Sequence, residues 1–93
     1  MIQALNFFIK HKYKKIKISR SNSIYHAEHA NGNSIKVEID CDKKFSDITK
    51  QKNVKVFVNN VIFSVSTFKG IKDKVSSIMF MLDAAHNHIT KNL

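Results

Sequence analysis

From Ile71 onward, Val75, Ile78, Leu82, Ala85 and Ile89 recur at spacings of 4, 3, 4, 3 and 4. That rhythm predicts a long helix after Gly70, with one apolar stripe that has to be buried against another element. A lone amphipathic helix has no cover of its own. The preceding chain must therefore supply a flat apolar surface, and there the hydrophobic period falls from helical spacing to the alternation of strands.

Three alternating runs come first. A two-residue turn at Ser21-Asn22 sets Ile18 opposite Tyr25 and Ile16 opposite Ala27. A three-residue turn at Asn31-Gly32-Asn33 sets Tyr25 opposite Ile39, Ala27 opposite Val37 and His29 opposite Ile35. One face of this meander is then Ile16, Ile18, Tyr25, Ala27, Val37 and Ile39, and a one-residue slip would put Glu28 against Ile35. The other face carries two rows, Lys15–Glu28–Lys36 and Lys17–His26–Glu38, in which acids neighbour cations as on a solvated sheet. Residues 42–52 read as a loop or short helical turn.

A second hairpin follows, turning on Asn59-Asn60, because asparagine tolerates the positive φ of such turns. Its register pairs Val58 with Val61, Val56 with Phe63 and Val54 with Val65. Phe57 and Ile62 meet on the other face, so the tip is apolar on both sides, as expected of an interaction edge. At the start of the chain, Ile2, Leu5, Phe8 and Ile9 lie at helical spacing with Gln3, Asn6 and Lys10 opposite, predicting a helix over about residues 2–12. The expected architecture is one compact α+β domain over residues 1–93. It has an N-terminal helix, an antiparallel sheet of about five strands (a three-strand meander plus a hairpin) and a C-terminal helix packed on the sheet.

Charge is the main functional signal. Sixteen Lys and Arg against seven Asp and Glu give a net +9, which favours nucleic acid, acidic protein surfaces or anionic lipid as partners. Fifteen of the sixteen cations are lysine, a point charge suited to phosphate and a poor bidentate reader of bases. The longest apolar run, Ile78–Leu82, is far too short to span a bilayer, and no secretory pattern opens the chain. A single cysteine, Cys41, reads as a small buried hydrophobe in a reducing compartment. These features predict a cytoplasmic protein without a membrane partner.

No catalytic or metal signature stands out. His86 and His88 are two apart on a helix and diverge, and no HxxxH, CxxC or HExxH spacing occurs. Asp83 is placed to orient His86, yet no serine or cysteine is positioned by motif as a nucleophile. No glycine-rich phosphate loop is present either. The residues therefore predict a non-enzymatic protein with no cofactor and no metal.

The order helix, three-strand meander, helix resembles the double-stranded RNA-binding domain and the related HicA-type mRNA interferase toxins. The likeness is carried by QALNFFIKHKYKKIKISRSNSIYHAEHANGNSIKVEI and by the glycine-then-lysine helix start in FKGIKDKVSSIMFMLDAA. The resemblance implies RNA held by the first helix, the first hairpin turn and the start of the last helix. The matching positions are Lys10, then Arg20 with Ser21 and Asn22, and Lys69, Lys72 and Lys74. The toxins' histidine after the turn is replaced here by Asn22 and Ser23, the Gly-Pro-x-His loop is missing, and residues 53–68 form an additional hairpin.

The leading expectation is thus a small basic module that contacts RNA or a nucleoprotein complex through phosphate-directed lysines. The contact residues would be Lys10, Lys12, Lys14, Arg20, Asn22, Lys69, Lys72 and Lys74. The alternative is an inhibitor of the kind phages and plasmids encode, docking on a host protein or nucleoprotein machine through an apolar centre at Phe57 and Ile62. Homo-oligomer formation is compatible with both.

Overall fold

The computed structural model describes residues 2–21, 23–39, 52–68 and 70–91, with the backbone alone for residues 52 and 70–72. Seven elements follow one another: α1 (Ile2–Lys10), β1 (Lys14–Ile18), β2 (Ile24–Glu28), β3 (Ser34–Ile39), β4 (Lys52–Val58), β5 (Val61–Phe68) and α2 (Gly70–Lys91). The strands form one antiparallel sheet in the order β1-β2-β3-β4-β5. Helix α2 packs on β3, β4 and β5, while α1 packs on β1 and α2, so two helices cover one face of the sheet. The α+β architecture is the expected one.

The α2 stripe is buried as its spacing requires: Ile78, Leu82, Ala85 and Ile89 are fully enclosed, against Tyr25, Ile35, Val37, Val54 and Val56 of the sheet. Helix α1 departs from expectation. Its buried side is Ala4, Phe7 and Phe8, while Ile2 and Ile9 are 68% and 60% exposed. The cause lies in how the helix stops. The Tyr13 N–H donates to the Phe8 carbonyl at 2.9 Å and the Lys12 N–H to the Ile9 carbonyl at 3.1 Å, which is a Schellman turn. It ends the helix at Lys10 and folds Tyr13 back onto Phe8, with ring centroids 5.2 Å apart. Facing inward, the two phenylalanines remove more apolar area from water than two isoleucines would.

Three registers differ from those the sequence predicts. The turn between β2 and β3 lies one residue early: Gly32, at φ 92°, takes the left-handed position, and the His29 N–H donates to Asn33 O at 2.7 Å. Tyr25 therefore faces Val37, and Ala27 faces Ile35. Because this shift is two residues, each side chain keeps its face. On the outer face the rows change partners: Lys17 and Lys36 flank His26, and Glu38 lies between Ile24 and Lys55.

The other two differences are bulges. In β1 an extra residue lies between Lys14 and Lys17, with Lys15 at φ 53°, which breaks the expected pairing of Ile16 with Ala27. In the last hairpin Asn59 and Asn60 take φ 52° and 67°, and Val58–Val61 and Phe57–Ile62 pair as expected. Beyond them Phe63 is bulged, so Val56 faces Ser64, Val54 faces Ser66, and Val65 turns to the outer face beside Lys55. The bulge reconciles the hairpin register with the burial of Phe68, which would otherwise face outward. Cys41 and residues 42–52, expected as a loop or short helical turn, lie outside the described residues apart from Lys52 at the start of β4.

Candidate functional site

The run around β1 has two fates within one stretch. Tyr13 is enclosed, whereas Lys10, Lys12, Lys14, Lys15, Lys17 and Arg20 are exposed along the edge strand of the sheet. Lys15 reaches Glu28 at 3.3 Å, a solvent-exposed pair of little energetic weight. Among the described residues the other five have no carboxylate partner. Lys12 sits at φ 63°, a strained conformation for lysine, fixed by the Schellman turn. Lys10, Lys12 and Lys14 thus leave the α1–β1 corner together, from backbone held by the buried Tyr13.

The remaining expected contacts are not at that corner. Arg20 lies in the turn at the far end of β1, where Ser19 Oγ accepts the N–H groups of Ser23 and Ile24 at 3.1 and 3.0 Å. Lys74 lies near the start of α2, twelve residues before His86, or about 18 Å along the helix axis. Since the corner touches α2 at His86, Lys74 belongs to the other end of the molecule. Asn22 and Lys69 lie outside the described residues, as does the Lys72 side chain.

Behind the corner is a cluster that sequence spacing did not reveal. The Tyr13 hydroxyl lies 2.8 Å from His86 Nδ1. The His86 ring is 4.3 Å from that of His11 and 5.5 Å from that of His29, and the His29 ring is 5.0 Å from Tyr13. The Asn31 N–H donates to His29 Nδ1 at 3.2 Å, which leaves the proton of neutral His29 on Nε2. Burial lowers the pKa of His86, and neighbouring His11 and His29 lower it further, against an opposing pull from Asp83. Burial raises that of Tyr13. Both groups are thus neutral near pH 7, and the tautomer of His86 sets which of the two donates. Among the described residues no group of three or more His, Cys, Asp and Glu side chains is arranged to hold a metal ion.

The corner also borders an open groove of about 560 Å³ between the helices. Gln3, Asn6, Phe7, Lys10 and His11 line one wall, and Met79, Phe80 and Asp83 the other. Phe80 is 77% exposed, so the groove is bordered by an exposed aromatic on α2 and by Lys10 on α1. It projects away from the α2 stripe, as expected from its position in the helix.

Phe57 and Ile62, the expected apolar centre, are cross-strand neighbours on the outer sheet face. The Lys36 ammonium lies 4.5 Å from the Phe57 ring centroid and 3.3 Å from Glu38. Ile62 and Val65 remain more than half exposed. Comparison with protein families, with curated proteins and with solved structures found no match to the chain.

Proposed function

We propose that this chain is a non-enzymatic basic binding protein that contacts RNA, or a nucleoprotein complex, through phosphate-directed lysines at the α1–β1 corner. One observation carries the reading: Lys12 and Lys14 are exposed, have no carboxylate partner among the described residues, and flank Tyr13, which is buried and hydrogen-bonded to His86. The backbone beneath the two charges is thereby ordered before any partner arrives, which lowers the entropic cost of binding. Lys10 and the exposed Phe80 ring add a cation and a stacking surface, a combination suited to a single-stranded segment with splayed bases. Arg20 and Lys17 extend the same edge for a longer partner. With a lone Cys41 and no helix among the described residues long and apolar enough to cross a membrane, the reading places the protein in the cytoplasm.

A second reading rests on the Phe57–Ile62 pair. Its apolar surface, with Lys36 and Lys55 beside it, has the composition of a small docking centre with a charged rim, as an inhibitor of a host protein machine would use. Affinity capture with and without nuclease treatment separates the two. Partners lost on treatment support the RNA reading; partners retained, and lost instead on Ile62→Lys, support the docking reading.

A further inference from the structure

The two edges of the sheet are built differently. Edge β1 carries three lysines in five residues and a bulge with Lys15 in the left-handed region, devices that keep an edge strand from pairing with another chain. Edge β5, VIFSVSTF, has no charged residue and no proline over eight residues. After its bulge at Phe63 it runs regularly from Ser64 to Phe68. Val61, Ile62 and Val65 are 69%, 56% and 56% exposed, and no described strand pairs with its second edge. A long, uncharged edge with apolar side chains in water is the kind that pairs.

We propose that β5 pairs antiparallel with β5 of a second copy of this chain across a two-fold axis, joining two sheets into one of ten strands. The charge distribution selects this occupant. Each chain carries +9, so two copies repel wherever their cations approach. The β5 edge has no cation, and the sheet order places the β1 lysines four strands away, about 19 Å. In the pair the two basic edges lie at opposite ends of ten strands, roughly 43 Å apart and several times the ~8 Å screening length. The nearest described cation, Lys55, lies one strand in beside Val65, so an acidic partner would find no cation on β5 itself, whereas a neutral edge is complementary to its own two-fold image. Pairing also brings Ile62 and Val65 of the two copies toward one another and out of water.

The test is sedimentation equilibrium of the full chain at about 150 mM salt, where surface charges are screened beyond a Debye length, with amide exchange followed alongside. The expected result is a concentration-dependent species of twice 10.7 kDa, with β5 amides that exchange more slowly as concentration rises. Val65→Lys sets two ammonium groups near the axis and weakens self-association at least tenfold. Ile9→Lys, equally exposed on α1, leaves it unchanged. A mass of 10.7 kDa at every concentration overturns the pairing. So does association that survives Val65→Lys, association abolished by Ile9→Lys, or an open series of larger species. Should Val65→Lys fail to fold by circular dichroism, the unmodified chain decides, because β5 amides exchanging fast at every concentration contradict the proposal.

Discussion

The hydroxyl of Tyr13 and Nδ1 of His86, 73 residues apart in the chain, lie 2.8 Å from each other where the Schellman turn of α1 meets the C-terminal half of α2. This bond ties the lysine-bearing corner to the longest helix. Tyr13→Phe keeps the ring and removes the hydroxyl, leaving His86 Nδ1 without its partner in a half-buried site. Urea unfolding should report a loss of about 1–2 kcal/mol, with the slope of the transition unchanged.

The same site makes stability depend on pH. His86 has a folded pKa below its ordinary value of 6.5, so as pH falls the unfolded chain takes up the proton first. Its contribution is complete above about pH 6.5 and is lost as pH drops below that value toward the folded pKa. Between pH 7.5 and 5.5 the unmodified chain should lose more stability in urea than His86→Gln does. Equal losses would remove His86 as the cause.

Lys12 occupies a left-handed position at φ 63° that glycine adopts without strain. Lys12→Gly should therefore raise stability by about 1 kcal/mol and, on the proposed reading, weaken RNA binding, because it also removes a phosphate-directed ammonium. Opposite signs in the two assays on one variant would separate the fold's need at this position from the partner's.

Ser64 entered the covered face through the β5 bulge, and its buried Oγ has no hydrogen-bond partner among the described residues. Ser64→Ala removes that unsatisfied hydroxyl with little change in shape. Thermal unfolding should show a gain of roughly 1 kcal/mol or a neutral outcome, whereas a hydrogen-bonded serine would lose stability.

How much of this was legible beforehand follows from which interactions are local. The α2 stripe was readable because one helix face, from Ile78 to Ile89, packs on one sheet. The Phe57–Ile62 pair was readable because Asn59-Asn60 sets the hairpin register within four residues. The faces of β2 and β3 survived an error in turn position because the shift was an even number of residues. The buried side of α1 was not readable: Ala4, Phe7 and Phe8 compete with Ile2 and Ile9, and only the return of Tyr13 onto Phe8 decides between them. Both bulges answer to tertiary demands, such as the burial of Phe68. His11 with Tyr13, His29 and His86 come from three separate parts of the chain, so no spacing in the sequence announces their meeting. Lys10, Lys12 and Lys14 are neighbours in the chain and stay at one corner, but the sheet and α2 carry Arg20 and Lys74 elsewhere.

The central claim is that the α1–β1 corner grips phosphates, and its most direct measurement is the affinity for a short single-stranded RNA as salt is raised. Each neutralised phosphate on a single strand contributes a slope of about −0.7 in log affinity against log salt, so three corner lysines predict a slope near −2. Lys12→Glu with Lys14→Glu should flatten that slope and weaken binding, while the folded spectrum stays unchanged. Affinity that is independent of salt, or a slope unaltered by the double substitution, would contradict the account.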